Sequence, residues 1–229
     1  MGTWGGVATY LHALIKDQIH RNHQVYLIVG TKGELTRNIH QKLPSVKIIL
    51  LPTLKRNIHP LSTLKAIFQF RKLIKRIHPD IIHLNCIMSG IVGRLGCIGL
   101  HQKIIYNAHG WAFEPGTNKK FKWPAIIIEK VMAYLTTKII CVSNYEYQIA
   151  NKYHIFKNKQ QGIVIKNGAP DIKMKPSPKL KDHTFRITMA ARFWKQKDQA
   201  DLIRSFAILK NKLLPNRKMK LYLLGDGPT

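Results

Sequence analysis

The chain has 229 residues, of which 45% are hydrophobic, so it can bury a sizeable core and is not intrinsically disordered. Its 38 lysines and arginines against 11 aspartates and glutamates give a formal net charge of +27, which predicts anionic partners: nucleic acid, an anionic membrane face or phosphorylated substrates. The basic residues are scattered and not interleaved with stacking aromatic side chains, a pattern that disfavours a single-strand nucleic-acid binder.

The first two thirds of the chain alternate between short apolar runs and amphipathic segments. In chain order we predict a helix over 6–20, a strand over 25–29, a strand over 46–51, a helix over 61–77, a strand over 81–84, a helix over 89–100, a strand over 103–107, a helix over 124–135, a strand over 138–142, a helix over 144–152 and a strand over 162–165. Continuously apolar strands between helices are typical of a parallel sheet covered on both faces, so we predict an α/β, Rossmann-like domain.

A second domain is predicted to follow a linker. Residues 169–183 hold three prolines and show no apolar periodicity, which is typical of a linker. We therefore assign 1–168 to the first domain, 169–184 to the linker and 185–229 to the start of a second Rossmann-like domain, with strands over 185–190 and 219–224 and a helix over 198–213. One βαβ unit is too small for a core, and no strand precedes the glycine turn at the N-terminus, so we expect a chain truncated at both ends.

The cysteines and apolar runs predict a cytoplasmic protein. The three cysteines Cys86, Cys97 and Cys141 lie among apolar residues without CxxC spacing, which is typical of buried thiols in a reducing compartment. We expect no signal peptide, since GTWGG follows Met1 directly, and no membrane-spanning segment, since the longest apolar stretches are short and carry charges such as Arg94 and Glu129.

A cationic loop after the strand over 185–190 is a candidate anion site. Arg192 and Lys197 lie five residues apart just before a predicted helix N-terminus, where two cations and free backbone N–H groups can hold a phosphate. The alternative is a solvated basic loop in a lysine-rich chain. At the other end of the chain, Gly5 and Gly6 open a helix and let the backbone approach an anionic ligand, or they belong to an ordinary N-terminal tail.

His109 follows a predicted strand and precedes Gly110, at the sheet edge where α/β folds place their ligands. Trp111 and Phe113 either line a sugar site or cap the core, and His83 is taken as structural. There is no DxD pair, HExxH, GxSxG, GxGxxG or P-loop motif, so metal, nucleophile and nicotinamide chemistry have no motif support. The glycines spaced three apart from Gly90 indicate close helix packing.

Seven stretches in this order resemble one family. They are GGVATYLHAL, PDIIHLN, YNAHGW, IICVSNYEYQ, IVIKNGAP, AARFWKQKD and LYLLGDGP. Together they are similar to family 4 glycosyltransferases of the group-1 type, which have the GT-B fold of two Rossmann-like domains. The resemblance implies transfer of a sugar from a nucleotide diphosphate sugar to an acceptor with retention, without a metal ion or other cofactor.

The resemblance also implies a role for each matching position. Gly5 and Gly6 would lie beside the donor phosphates, and His109 near the donor sugar as the catalytic-site histidine. Arg192 and Lys197 would neutralise the donor diphosphate. Three further matches are Asn167 and Gly168 at the start of the hinge and the nucleotide-side turn Gly225, Asp226 and Gly227. The family's paired glutamates are absent, and Ala191 replaces a frequent glycine.

The resemblance favours a hexosyl- or N-acetylhexosaminyltransferase of polysaccharide, lipopolysaccharide or capsule biosynthesis. Its partners would be a nucleotide-sugar donor and a saccharide or lipid-linked saccharide acceptor, with peripheral contact to the anionic inner face of the cell membrane. The first alternative is a non-catalytic remnant or binding module, and the second is a basic nucleic-acid-binding protein.

Overall fold

The computed structural model describes residues 5–55, 59–115, 117–168 and 183–227. The chain divides into two compact units, Met1–Asp171 and Ile172–Thr229. The predicted linker, residues 169–184, lies outside the described residues except for its last two positions.

The first unit is a parallel α/β fold, as predicted. Its elements are α1 Gly6–His20, β1 Tyr26–Val29, α2 Glu34–Lys42, β2 Lys47–Leu50, α3 Pro60–Ile77, β3 Ile81–Asn85, α4 Ile87–Gly96, β4 Lys103–Ala108, α5 Lys119–Ala133, β5 Lys138–Cys141, α6 Asn144–Lys152 and β6 Gly162–Val164. Strands β1 and β2 pair in parallel, and β3, β4, β5 and β6 form a four-stranded parallel sheet in that order. Parallel pairing puts the carboxyl ends of neighbouring strands at one edge.

The described part of the second unit is a βαβ motif. Its elements are β7 Phe185–Ala190, a 3₁₀ turn Lys195–Lys197, α7 Gln199–Ile208, a π-helical segment Leu209–Leu213 and β8 Met219–Leu224. Strands β7 and β8 pair in parallel over their whole length, from Phe185 opposite Met219 to Ala190 opposite Leu224. Both strands have the predicted bounds, and the predicted helix over 198–213 corresponds to α7 with its π-helical continuation.

Three helices differ from the predictions, one because it was not predicted and two by more than one residue at their first position. Helix α2 was not predicted because its sequence, ELTRNIHQK, is mostly polar, yet it buries Leu35 and Ile39 on one face. Helix α4 begins two residues earlier and ends four residues earlier than the predicted 89–100. Helix α5 begins at Lys119 rather than at Pro124, because the Asn118 side chain accepts a hydrogen bond from the Lys120 N–H and caps an additional turn.

Two hydrophobic clusters form the core of the first unit. The larger packs around β3, β4 and β5 and includes Leu84 and Tyr106, and the smaller joins α1 and α2 to β1. The glycines of α4 let this helix lie directly on the sheet: a Cβ atom at Gly93 would overlap the Leu84 side chain, and one at Gly90 would lie 2.7 Å from the Tyr106 ring. The interpretation of these glycines as packing residues is therefore confirmed for Gly90 and Gly93, and also for Gly96, where a Cβ atom would lie 3.0 Å from the Phe70 ring. It is wrong for Gly99, which follows the end of α4 with a φ of 71° and would bring a Cβ atom within 4 Å of no described atom.

Candidate functional site

Polar side chains gather at the carboxyl ends of β3 and β4 in the first unit. Asn85 is the last residue of β3 and pairs in register with Asn107 of β4. His109 follows the end of β4 directly. The strand register therefore brings these side chains to the sheet edge where open α/β folds bind ligands.

A hydrogen bond orients the His109 ring. Its Nε2 lies 3.0 Å from the Asn85 Oδ1, while the Asn85 Nδ2 donates to the His83 carbonyl over 3.5 Å. Because an amide oxygen only accepts, Nε2 carries the ring proton and Nδ1 is the acceptor of the ring. Burial lowers the pKa of His109 below 6.5, so the imidazole is neutral at physiological pH. His109 can therefore accept a hydrogen bond from a hydroxyl group, but it carries no positive charge.

Helix α1 brings the N-terminal glycines towards this histidine. The Tyr10 ring meets the His109 ring edge-on, with 5.0 Å between centroids. Gly5 is the N-cap of the same helix and Gly6 its first residue, one turn before Tyr10. A Cβ atom at Gly6 would meet no atom of the described residues within 4 Å, so this glycine has no packing role there. The predicted glycine turn and His109 thus belong to neighbouring parts of one unit.

Two further polar side chains of the same strand ends, the half-buried His83 and the buried Asn107, were missed in the sequence. His83 was taken as structural, yet burial, with a smaller contribution from His109, lowers its pKa to about 4, and its Nε2 has no hydrogen-bond partner among the described residues. The fully buried Asn107 amide likewise makes no hydrogen bond of normal geometry within the described ranges. It lies close enough to the Tyr10 hydroxyl to oppose the rise in the Tyr10 pKa that burial causes.

The residues after His109 form a buried turn. Gly110 has a φ of 118°, a conformation that favours glycine. Trp111 and Phe113 are 5% and 0% exposed and stack with 5.1 Å between ring centroids, and the Trp111 Nε1 donates to the Glu146 carbonyl. They cap the core, so the alternative in which they line a sugar site is wrong.

In the second unit, residues 191–194 form a loop after β7, called the Arg192 loop below. This loop lies against the turn over residues 225–227. The Ala191 N–H donates to the Leu224 carbonyl and the Phe193 N–H to the Asp226 carbonyl, both over 2.9 Å. A Cβ atom at Gly225 would overlap the Ala191 carbonyl, so the two loops touch backbone to backbone. Arg192 and the turn, which were predicted as separate parts of the donor site, are therefore neighbours at the carboxyl edge of β7 and β8.

Lys197 ends the 3₁₀ turn that leads into α7. The Gln199 side chain donates to the Arg192 carbonyl over 3.0 Å and ties the loop to the helix. The Asp198 carboxylate caps α7 by accepting the Asp201 N–H, so one of the helix N–H groups is already satisfied. The Arg192 and Lys197 side chains are both exposed. An anion at this loop would therefore be held mainly by these two cations.

Asn167 and Gly168 end the first unit's described part, after β6, and both are exposed. Their assignment to the hinge stays a prediction because residues 169–182 are not described. Within the described ranges, no group of three or more histidine, cysteine, aspartate or glutamate residues is arranged to hold a metal ion.

The family model for Glycosyltransferase Family 4 matches residues 4–171, which is most of the chain. The chain belongs to glycosyltransferase family 4. The match includes Gly5, Gly6, Tyr10, Asn85 and His109, and it confirms the family resemblance over the first five of the seven stretches, whereas the last two lie beyond the matched residues.

Two bacterial relatives are similar to this family member over two thirds or more of its length. Over 215 residues it is 29% identical to the Escherichia coli UDP-Gal:alpha-D-GlcNAc-diphosphoundecaprenol alpha-1,3-galactosyltransferase, covering 89% of this chain and 54% of the relative. Over 160 residues it is 30% identical to a 41.2 kDa protein encoded in the cps region of Klebsiella pneumoniae, covering 68% of this chain and 42% of that protein. The chain thus spans about half the length of these relatives.

Solved structures confirm the fold class. The Anabaena HepE protein in complex with UDP and glucose superposes with a TM-score of 0.74 at 19% identity, covering 100% of this chain and 59% of HepE. A Rickettsia africae glycosyltransferase superposes with a TM-score of 0.67 at 17% identity, covering 96% and 65% of the two chains. This family 4 chain therefore has the α/β, Rossmann-like architecture of GT-B glycosyltransferases. Among helices in its described ranges, none combines the length and apolar character needed to cross a bilayer.

Proposed function

We propose that this chain belongs to a retaining glycosyltransferase that moves a hexosyl or N-acetylhexosaminyl group from a nucleotide diphosphate sugar to a saccharide acceptor. The observation that carries the proposal is the pairing of the Arg192 loop with the turn Gly225–Gly227 at one sheet edge, in a chain of glycosyltransferase family 4. The E. coli relative is named for transfer from UDP-galactose to a lipid diphosphate-linked sugar, and HepE was solved with UDP and glucose. Both names support a UDP-sugar donor.

Charge development gives Arg192 and Lys197 their proposed role. As the bond between the sugar and the diphosphate breaks, negative charge grows on the leaving nucleotide. Exposed cations that are already in place stabilise this charge in the transition state. We propose that these two side chains do this without a divalent metal ion, since each supplies a full positive charge next to the leaving group.

His109 suits a different part of the donor. A neutral imidazole, held by Asn85 so that Nδ1 accepts, is matched to a sugar hydroxyl rather than to a phosphate. We propose that His109 orients the transferred sugar and that Gly5 and Gly6 leave room for the donor beside the N-terminus of α1. Loss of a single hydrogen bond of this kind typically costs about 0.5–1.5 kcal/mol of binding or transition-state energy.

The proposed setting is the cytoplasmic face of the membrane, in polysaccharide, lipopolysaccharide or capsule biosynthesis. Three free cysteines, two of them buried, suit a reducing compartment. The net charge of +27 suits a lipid-linked acceptor at an anionic surface. The E. coli relative's named acceptor is a sugar linked through a diphosphate to a lipid, which is an acceptor of this lipid-linked class.

The test is binding of UDP-galactose and UDP-glucose to the purified chain by isothermal titration calorimetry. Arg192→Ala and Lys197→Ala should each weaken binding by roughly 10-fold or more, since a charge-assisted hydrogen bond contributes about 1.5–3 kcal/mol. The matched control is Lys212→Ala, an exposed lysine of the π-helical segment. EDTA should leave the affinity unchanged. Equal affinity of all variants would overturn the diphosphate assignment, and binding of acceptor or DNA without any UDP-sugar would favour the alternatives.

A further inference from the structure

Helix α5 carries a stripe of apolar side chains that the described part of the chain leaves exposed. Trp123, Ile127, Val131 and Tyr134 are 58%, 59%, 57% and 75% exposed. They follow one another at intervals of four, four and three residues, so the first three lie along one face of the helix and Tyr134, its C-cap, continues the stripe. Phe121, which is 71% exposed, extends this apolar surface towards the start of the helix.

The opposite face of α5 is fixed in the core. Ile126, Met132 and Ala133 are buried, and the buried Glu129 pairs with Arg94 of α4. The helix therefore has apolar side chains on both faces, whereas a surface helix ordinarily presents polar residues to water. An exposed apolar area of this kind on a rigid helix marks an interaction surface.

Lysines flank the exposed stripe. Lys119 and Lys120 are exposed at the first turn of α5 and Lys130 is half-buried farther along, whereas the half-buried Lys122 places its ammonium over the Tyr153 ring, 5.0 Å from the centroid. The only acidic residue in the helix is Glu129, whose charge is neutralised in the core by Arg94. The surface presented by α5 is thus apolar, aromatic and positively charged.

We infer that α5 docks on an anionic lipid bilayer and lies in its interface, with the stripe towards the acyl chains and the lysines among the headgroups. Tryptophan and tyrosine favour this interfacial zone, and lysine is attracted to anionic lipid. The 15-residue helix is roughly 22 Å long, which is shorter than the roughly 30 Å bilayer core, so it lies on the membrane. A second copy of the chain is a poor occupant because each copy carries a net charge of +27.

This inference deepens the proposed function, on which it rests, by naming the surface that meets the membrane of a lipid-linked acceptor. Its test is flotation of the chain with phosphatidylcholine vesicles and with vesicles of phosphatidylcholine and phosphatidylglycerol. We expect binding to the anionic vesicles only, weakened by added salt. Trp123→Ser/Ile127→Ser/Val131→Ser should reduce the partition coefficient at least tenfold. Lys119→Gln and Lys120→Gln should each reduce it about fivefold.

The matched control lies on α3. Leu61 and Phe68 are 85% and 64% exposed, so Leu61→Ser/Phe68→Ser removes a comparable apolar area from another helix. Because α3 holds no tryptophan or tyrosine to favour the interfacial zone, this change should leave the partition coefficient unchanged. Circular dichroism and thermal melting check that the variants remain folded. An equal loss in the α3 and α5 variants would overturn the assignment to α5, and so would unchanged flotation of the α5 variant.

Fluorescence places the helix in the bilayer directly. Brominated lipids should quench a component of the tryptophan emission that is lost in Trp123→Phe, a change that keeps an aromatic side chain and should keep vesicle binding. Quenching that persists in this variant would overturn the inference, as would a concentration-dependent dimer that only the α5 variant abolishes. UDP-sugar binding is measured separately, so a chain that binds donor but not vesicles disproves the docking inference and leaves the proposed function standing.

Discussion

Arg94 and Glu129 form a bidentate ion pair inside the first unit, with N–O distances of 2.8 and 3.1 Å. The two residues are 0% and 5% exposed. The Arg94 Nε also donates to the Gly90 carbonyl, and the guanidinium lies over the Tyr106 ring, 4.2 Å from its centroid. The pair therefore joins α4 to α5 and gives the exposed stripe of α5 a rigid support.

Breaking this pair should destabilise the first unit severely. Glu129→Leu leaves the Arg94 charge buried without a partner, and we expect it to lower the free energy of unfolding by about 3–5 kcal/mol. The double variant Arg94→Met/Glu129→Leu removes both charges and should recover most of this loss, because two apolar side chains of similar size need no desolvated charge. Urea denaturation followed by circular dichroism measures all three proteins. A double variant as unstable as the single one would show that packing, not charge, governs the site.

Stability should fall in mild acid because of His83. Its pKa of about 4 in the folded chain lies below the ordinary 6.5, so the unfolded chain binds the proton more tightly. Neutral His83 contributes to the free energy of unfolding above pH 6.5. This contribution, up to about 3 kcal/mol, is lost as the pH falls from about 6.5 to about 4. His109, whose pKa burial also lowers, acts in the same direction.

The measurement is urea denaturation at about pH 7.5 and about pH 4.5. His83→Gln should reduce the difference between the free energies of unfolding at the two pH values. His101→Gln, at an exposed position, should leave this difference as in the original chain. If both variants keep the full difference in the free energy of unfolding, the acid sensitivity comes from other groups.

The sequence predicted the strands better than the site. Mainly apolar stretches predicted β7 and β8 to the residue, and strand-end position singled out His109. Asn85 was missed because its contact with His109 joins residues 24 apart and depends on the register of β3 and β4. Asparagine as the last residue of β3 and the second-last residue of β4 was the available signal. The apolar stripe of α5 was also hidden, since apolar periodicity does not tell which apolar face of a helix the fold leaves uncovered.

Backbone contact between two loops explains why Gly225 is a glycine. A Cβ atom there would overlap the Ala191 carbonyl, whereas at Gly6 it would meet no described atom within 4 Å. Gly225→Ala should therefore separate the loops and destabilise the second unit by about 1–3 kcal/mol, through strain and lost packing. Gly6→Ala is the matched control and should leave stability unchanged or slightly higher, since alanine favours a helix.

Hydrogen exchange measured by mass spectrometry localises the effect of Gly225→Ala. We expect faster exchange at the N–H groups of Ala191 and Phe193, whose hydrogen bonds join the two loops. Exchange in β3 and β4 of the first unit should be unchanged. Unaltered protection of the Arg192 loop would mean that the loops tolerate the added methyl group, and the close approach would not be what requires glycine.

The three thiols should react at very different rates. Burial raises the pKa of Cys97 to about 11 and that of Cys141 to about 12, and both are almost fully covered. The thiolate is the reactive form, so these two cysteines should be nearly inert near pH 8 in the folded chain. Cys86, which is only partly buried, should react first with a thiol reagent.

Titration with an aromatic disulfide reagent should thus show one fast thiol in the folded chain and three in denaturant. Cys86→Ser should remove the fast phase and lower by one the number of thiols that react in denaturant. The conformation of Cys86 bears on the candidate site, because its φ of 80° turns the chain directly after Asn85, the residue that orients His109. If bound UDP-sugar slows the reaction of Cys86, the ligand lies at this edge of the sheet, whereas an unchanged rate with ligand demonstrably bound would place it elsewhere.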